Sequence, residues 1–413
     1  MTIRWSRRRF LNKSALVAMT APGLFDSKLT PCTRHPAINQ SEVSGTPVID
    51  VTDLYHPFED PGDNLDLIQA HCLPEVDLRA IILDITDAFR LPIANDPVLW
   101  HDPNGPREPG IIPVAQLNAL FSRNIPYAYG PFTAMRSLDD PMTDVPNLQQ
   151  AGIELILKTL DESKKPVEIV SFGSARTIAA AFNREPTLVR EKTRRIHVSA
   201  GAATRNYELG KSQEHNRIPG GEWNVALDPL AFIRIMQSNL PIALYPCADV
   251  DGAFAYGNHN TYWNLPDLHF VREMDPRLRN YVIFALGRLL LADFLRALDG
   301  TLDEGDAQDR LNRVHHVWET AIWLNVSGRK VVYRENAWRI VSGEQVRDGE
   351  QVLKNDLRPC VLGVREDGRI SYTFTQDKTN FLIFERGDAH EYEQALRQAL
   401  PEWWKSFRSV ANA

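Results

Sequence analysis

The acidic turn Asp60-Pro61-Gly62-Asp63-Asn64-Leu65-Asp66 gathers oxygen-bearing side chains at one corner of the chain. It follows the apolar run Pro47-Val48-Ile49-Asp50-Val51 and opens a helix-like stretch, Leu67-Ile68-Gln69-Ala70. A strand that ends in carboxylates, turns through Pro-Gly and enters a helix builds an oxygen-rich rim. Ligands of open α/β sheets collect at such carboxyl ends of strands. A hard cation such as Ca²⁺ takes about 6–8 oxygen ligands, largely carboxylates and carbonyls. Taken alone, the segment equally describes a capped helix start, because Asp and Asn cap helices and Pro-Gly makes turns.

A second constellation is Gly221-Glu222-Trp223-Asn224-Val225-Ala226-Leu227-Asp228-Pro229. Asp228-Pro229 reads as a cap followed by Pro in a first helical turn. Glu222 and Asn224 stand two residues apart, and in an extended segment that spacing puts both on one face. A carboxylate beside an amide can bind vicinal hydroxyls: one accepts hydrogen bonds, the other donates and accepts. By itself the segment also reads as a polar loop before a helix.

These groups need a scaffold, and strand and helix signals alternate to supply it. Val48–Val51, Leu78–Leu83, Val167–Phe172, Arg195–Ser199 and Pro241–Tyr245 read as strands, the second as a nearly continuous apolar run. Helices are expected over Leu65–Leu73, Val114–Phe121, Leu148–Leu160, Ala175–Phe182, Pro229–Asn239, Tyr281–Leu298 and Leu311–Leu324. Residues 90–112, rich in Pro, Asp and Asn, form a loop. From about residue 328 short antiparallel strands follow: Lys330–Tyr333, Trp338–Val341, Cys360–Val364 and Ile370–Phe374, closed by a helix at Tyr392–Leu400. The expected class is α/β, an open, mostly parallel sheet flanked by helices with a Rossmann-like core and a short antiparallel C-terminal region.

The 413 residues and 43% hydrophobic content suffice for a large core. Ser6-Arg7-Arg8-Arg9-Phe10-Leu11 before the weakly apolar Ser14–Met19 resembles a twin-arginine export signal. We divide the chain into a signal at 1–27, a flexible lead-in at 28–46 and one α/β domain at 47–413. Export to the periplasm or the extracellular space is expected. No apolar run reaches the ~20 residues that span a bilayer. Residues 1–25 carry five basic groups and no acid, so their removal takes the net charge from −7 to −12. A surface this acidic argues against nucleic acid or an anionic membrane as partner. It suits a small neutral or cationic ligand. Cys32, Cys72, Cys247 and Cys360 are scattered, without the spacing of a zinc site, and read as buried thiols.

The order of these pieces resembles the inosine/uridine-preferring nucleoside hydrolase family over roughly residues 47–325. That family carries Asp-Thr-Asp-Pro-Gly-x-Asp-Asp, then Gly-Pro-Leu-Thr-Asn-x-Ala, then Glu-Phe-Asn followed by Asp-Pro. Here Asp60-Pro61-Gly62, Gly173-Ser174-Ala175-Arg176-Thr177 and Glu222-Trp223-Asn224 with Asp228-Pro229 stand in that order. The resemblance implies an exported hydrolase that cleaves the N-glycosidic bond of a ribonucleoside or related N-riboside with a metal-activated water. Ca²⁺ is the implied cofactor and a small nucleoside or sugar derivative the implied partner, with a homo-oligomer open.

The same resemblance implies the site residues. Asp60, Asp63 and His315 would be catalytic, and Asp87, Glu222 and Asn224 would bind substrate. Asp60, Asp63, Asn64, Glu319 and the Arg176 carbonyl would hold the metal. Asp50 or Asp53 could supply the family's earlier aspartate. Two alignments of the paired aspartates remain open, with Asp63 inside the pair or beside it. Trp318 stands where many members have a histidine. His315 lies four residues before Glu319, so on a helix the two would share a face; a core histidine is the plainer reading. Departures at catalytic positions leave a second function, a sugar- or nucleoside-binding protein on the same fold. A third, an interaction module built on the C-terminal region and its Trp403-Trp404 pair, competes with simple core packing.

Overall fold

The computed structural model describes residues 45–54, 61–84, 110–207, 221–286, 297–298, 300 and 304–410. In chain order the strands are Thr46–Thr52 (β1), Val76–Leu83 (β2), Tyr127–Tyr129 (β3), Val167–Ser171 (β4), Thr193–Ser199 (β5), Ala202–Ala203 (β6), Ile242–Tyr245 (β7) and Ala248–Asp249 (β8). Trp263–Leu265 (β9), His315–Val317 (β10), Lys330–Arg334 (β11), Ala337–Val341 (β12), Gln351–Val352 (β13), Asn355–Val364 (β14), Ile370–Phe374 (β15) and Phe381–Arg386 (β16) follow. A nine-stranded sheet has the order β15-β14-β16-β7-β5-β4-β1-β2-β3. From β3 across to β16 every neighbouring pair is parallel. β14 is antiparallel to both β16 and β15.

The helices are Pro61–Cys72 (α1), Ile111–Leu120 (α2), Asn147–Glu162 (α3), Arg176–Arg184 (α4), Pro186–Lys192 (α5), Trp223–Leu227 (α6) and Pro229–Met236 (α7). Pro276–Ala285 (α8), Glu304–Leu311 (α9), Thr320–Ser327 (α10) and Ala389–Lys405 (α11) are the others among the described residues. Several start where the sequence places a cap. Asp228 accepts from the Ala231 N–H, Asp275 from the Arg277 and Leu278 N–H groups, and Asp388 from the Glu391 N–H. Pro229 and Pro276 then occupy first-turn positions, where no N–H is needed.

Strand periodicity sorts the core into two layers. Ile49, Val51, Ile169, Ile196, Val198, Ile242 and Leu244 pack on one sheet face with α3, α4 and α7. Val48, Val170, Ala243 and Tyr245 pack on the other with α1, α8, α10 and α11. Side chains alternate along a strand, so Asp50 falls on the same face as Val48, toward α1.

α1 is buried from Gly62 to His71, although it carries Asp63, Asn64, Asp66, Gln69 and His71. His71 donates through Nδ1 to the Leu67 carbonyl at 2.8 Å and stacks on Phe121. Burial, with Arg123 nearby, lowers its pKa from 6.5 to about 4. The unfolded chain therefore takes the proton first. This contribution is fully present above pH 6.5 and is lost as pH falls toward 4, by roughly 3 kcal/mol for a shift of this size. We expect His71→Gln to flatten the fall in urea midpoint between pH 6.5 and 4. Parallel pH profiles for variant and parent would refute the assignment.

One element differs from the sequence reading. The helix expected over Leu311–Leu324 is interrupted: His315–Val317 is a strand paired antiparallel with Trp263–Leu265, and α10 starts only at Thr320. Backbone pairing with β9 outweighs the helical spacing of Leu311, Trp318 and Ile322, so the helical face proposed for His315 and Glu319 does not exist. Of the helix expected over Tyr281–Leu298, α8 covers the start and residues 287–296 lie outside the described residues. The C-terminal strands pair antiparallel with one another, as expected. β11, β12 and β13 form their own antiparallel sheet, whereas β16 enters the main sheet parallel to β7. Cys247 and Cys360 are buried free thiols, as expected; Cys72 is a free thiol but only half-buried, and Cys32 lies outside the described residues. No described helix is long and apolar enough to cross a membrane.

Candidate functional site

Asp50 near the end of β1 and Asp66 on α1 are fully buried, and no hydrogen-bond donor meets their carboxylate oxygens among the described residues. Burial pushes the Asp50 pKa up to about 8. Asp66 is raised well above the carboxylate range, first by burial and then by the charges of Asp50, Glu319 and Asp63. Acids from β1, the first turn of α1 and the residue before α10 thus all act on Asp66. Asp63 and Asp66 are three residues apart on a helix, which puts them on one face. Asn64, between them, accepts from the Tyr281 hydroxyl at 2.9 Å. Glu319 is buried and accepts the Trp318 N–H at 2.9 Å.

These oxygens are the donor chemistry that a hard cation takes, and a buried carboxylate without a donor or countercharge is costly. The acids fit a cation in kind and in charge. Among the described residues no group of three or more His, Cys, Asp or Glu stands in a metal-holding arrangement. Asp60 and Asp87 lie outside the described residues.

A second acidic node sits at the end of β2. Asp84 accepts from the Ser174 N–H at 2.8 Å, the Ser174 hydroxyl at 2.5 Å and the Thr177 hydroxyl at 3.1 Å. The Arg176 guanidinium is fully buried between Asp84, 3.4 Å away, and Asp228, 3.8 Å away. Its charge is thus directed to these two carboxylates. Glycine is required at position 173: a Cβ there would come 2.9 Å from Asp84 Oδ2 and 3.2 Å from the Asp53 Cβ. That close approach also locates Asp53 beside Asp84, just past the end of β1.

Glu222 and Asn224 are not on an extended segment. Glu222 caps α6, accepting from the N–H groups of Asn224 at 3.0 Å, Val225 at 3.1 Å and Gly201 at 2.8 Å. Gly201, just after β5, has φ +84°, a left-handed conformation that favours glycine. Burial raises the Glu222 pKa while these N–H groups pull it down. Asn224 donates to the Ser199 carbonyl at 2.7 Å. Both side chains are thereby committed to ordering the carboxyl end of β5.

Glu222 also lines a cavity of about 890 Å³, together with Ala203, Gly221, Trp223 and the run Asp249–His259. Asp50, Asp63, Asp66 and Glu319 do not line it. The link between cavity and acids runs through Cys247 and Trp318. Burial, then the charges of Glu222 and Glu319, raise the Cys247 thiol well above its usual range. The Trp318 indole donates to the Cys247 carbonyl at 3.0 Å. Phe254, which lines the cavity, packs on rings behind it: it lies edge-on to Tyr262 at 5.4 Å, 4.7 Å from the His316 ring and 5.8 Å from the Trp318 ring. His316 also stacks on Tyr262. Neighbouring strand residues point to opposite sides, so His316, not His315, belongs to this aromatic wall. His315 is buried, its pKa is lowered by burial to about 4, and its Nε2 meets no hydrogen-bond partner among the described residues.

Sequence reasoning gave Asp66 no role within the acidic turn, and missed Asp84, the aromatic wall and the Arg176 ion pairs. Asp66 had a readable signal, its three-residue spacing from Asp63 on α1. The partners of Arg176 come from segments distant in the chain, and no local pattern announces them.

The fold and site define an open α/β protein with acidic groups gathered at the carboxyl ends of a parallel sheet. The chain belongs to the inosine-uridine preferring nucleoside hydrolase family, whose sequence model matches residues 107–335. Among curated relatives, the pyrimidine-specific ribonucleoside hydrolase RihA of Salmonella schwarzengrund is 29% identical over 194 residues, 45% of this chain and 57% of that protein. The enzyme of the same description from Escherichia coli is 28% identical with the same coverage. The match spans little more than half the length of these relatives. A solved inosine-uridine preferring nucleoside hydrolase from Bacillus anthracis superposes with a TM-score of 0.47 at 13% identity, covering 86% of this chain and 98% of that one. A plant nucleoside hydrolase gives a TM-score of 0.47 at 16% identity, covering 85% and 98%.

Proposed function

We propose that this chain hydrolyses the N-glycosidic bond of a ribonucleoside, water adding to the sugar carbon as the bond to the base breaks and the base leaves with a proton. The observation that carries the reading is the buried carboxylate Asp66, on which the charges of Asp50, Glu319 and Asp63 act, in a member of this family. An oxocarbenium-like sugar is stabilised by nearby carboxylates, as in glycoside hydrolysis generally. Asp50, Asp63, Asp66 and Glu319, with Asp60, would hold a Ca²⁺ ion. Such an ion favours ionisation of the attacking water and orients sugar hydroxyls. Trp223 and Phe254, which line the cavity, offer flat faces for the base, with Phe254 backed by Tyr262, His316 and Trp318. The cavity volume suits a ligand of nucleoside size. Export by the twin-arginine route is part of the same reading, supported by Arg7-Arg8-Arg9 ahead of Phe10-Leu11.

The test joins both parts. The full chain is expressed with Arg7 and Arg8 intact or as the Lys-Lys pair, the cells are fractionated, and each fraction is assayed with uridine, cytidine, inosine and adenosine. We expect free base and ribose from the exported fraction of the parent, loss of turnover in chelator, and retention of the double variant in the cytoplasm. Absence of base release from every nucleoside, with Ca²⁺ supplied, would remove the hydrolase reading. Export of the Lys-Lys variant at the parent's level would remove the signal reading.

A further inference from the structure

We propose that the segment Phe384–Arg397 positions the cavity loop Asp249–Tyr262, with Arg386 as its central positioning residue; the inference rests on the reading of the cavity as a nucleoside site. The segment lies beyond the region matched to the family, which ends at residue 335.

The loop carries little regular structure of its own. Between β8 and β9 it has one isolated bridge, Asp249 to Gly252. Asn260 ties it internally, donating to the carbonyls of Ala253 at 3.1 Å and Ala255 at 2.9 Å. Most of its remaining polar anchors come from the C-terminal segment. Arg386, the last residue of β16, is fully buried and donates Nε to the Gly257 carbonyl at 3.0 Å and Nη1 to the Tyr262 carbonyl at 2.6 Å. Its backbone N–H donates to the Asn258 carbonyl at 2.9 Å. His259 Nδ1 donates to the Phe384 carbonyl at 2.8 Å.

Helix α11 adds a second set of ties. Glu393 accepts from the Tyr256 hydroxyl at 2.8 Å, the Asn264 N–H at 3.1 Å and the Asn264 amide at 2.9 Å. Arg397 pairs with Glu393 at 2.9 Å and donates to the Asn264 carbonyl at 2.8 Å. His390 stacks on Tyr256 at 4.5 Å.

Chemistry and placement agree. Among the described residues no carboxylate stands within ion-pair distance of Arg386, so its buried charge is spent on carbonyls of one loop. A planar guanidinium has donors in a fixed fork and can bridge two carbonyls at once, which an ammonium does poorly. The bridged carbonyls, Gly257 and Tyr262, bracket the descent of the loop into the aromatic wall. Tyr262 itself touches Phe254 and His316 in that wall. Displacing it would loosen the base-facing surface while leaving the acids on β1, α1 and Glu319 where they are. The C-terminal strands and α11 thus act on the cavity from outside it, without touching the ligand.

The experiment compares the full chain with Arg386→Met, Arg386→Lys and Glu393→Ala. Amide hydrogen exchange is read over residues 249–262 and, as reference, over β4 and β5, and steady-state kinetics are measured with the best nucleoside. We expect exchange in 249–262 to quicken about tenfold or more in Arg386→Met while β4 and β5 stay protected. KM should rise about tenfold with a much smaller change in kcat, the mark of lost ground-state positioning. Arg386→Lys should fall between parent and Met variant. Should Arg386→Met fail to fold, Glu393→Ala carries the same expectation for Tyr256 and Asn264. Unchanged exchange in the loop, or quickening shared equally by β4 and β5, overturns the proposal. Quickened loop exchange in a chain that releases no base would uphold the clamp and sink the hydrolase reading instead.

Discussion

Asp50→Asn will stabilise the chain in chelator at pH 8 and will abolish its stabilisation by Ca²⁺. Burial holds the Asp50 pKa near 8 against an ordinary value of 3.8. A folded-state pKa raised in this way contributes stability that is fully present below pH 3.8 and is lost as pH rises through 8. A difference of this size is worth roughly 5–6 kcal/mol at pH 8. Asparagine needs no proton. Its buried amide brings a desolvation cost of about 1–3 kcal/mol of its own. The net gain expected in chelator at pH 8 is therefore about 2–4 kcal/mol, shrinking toward nothing or reversing at pH 5.

With Ca²⁺ the order should invert. A cation beside Asp50, Asp66 and Glu319 favours their ionised forms and binds only the folded chain, so it raises stability by mass action. The variant gives up one anionic oxygen donor and with it most of that rise. Thermal melts of parent and variant at pH 5 and 8, in chelator and in Ca²⁺, give the whole comparison. A variant less stable than the parent at pH 8 in chelator would show that Asp50 is held ionised by something other than a divalent cation. An equal Ca²⁺ shift in both would remove the acids from metal binding.

The scaffold was largely legible in the sequence, and the reasons are local. β2 announces itself as a continuous apolar run because both of its faces are covered, and α7 because Asp228-Pro229 is a start signal with one partner per group. The fold class follows from the alternation of such segments. Where backbone pairing decides, sequence spacing misled. His315–Val317 has helical neighbours and no turn signal, yet β9 takes it as a strand. β16 went unread because its apolar run, Phe381-Leu382-Ile383-Phe384, is only four residues long, too short to tell strand from helix, and it owes its place to pairing with β7. The candidate site was legible in its residue types rather than its contacts. Glu222 lines the cavity and Asn224 follows it on α6, but their polar atoms are turned to backbone. Glu319 reaches Asp66 electrostatically although 253 positions separate them in the chain. Such partners exist only once the sheet has assembled.

The largest loss of stability is expected from Arg176→Met. The guanidinium is fully buried with Asp84 on one side and Asp228 on the other. Asp84 keeps three further donors, from Ser174 and Thr177. Asp228 keeps two, the N–H groups of Met135 at 2.9 Å and Ala231 at 3.1 Å. Even so, removing one member of a buried ion pair leaves uncompensated charge and costs about 3–5 kcal/mol. Burial already raises the Asp228 pKa, with Arg176 opposing the rise. Without Arg176 it must climb further. A raised folded-state pKa favours the folded chain at low pH and is lost as pH rises, so the deficit of the variant should be greatest near pH 8 and smaller near pH 5. Arg176→Lys should recover part of the loss, since one ammonium cannot serve both carboxylates as a fork does. Arg176→Met combined with Asp228→Asn should recover more than Lys does, because it removes the stranded charge itself. Urea midpoints at the two pH values decide the matter. A deficit below about 1 kcal/mol would place the pair with exposed ion pairs, which contribute little. A deficit independent of pH would mean that lost packing around α4, rather than stranded charge, is what the chain feels.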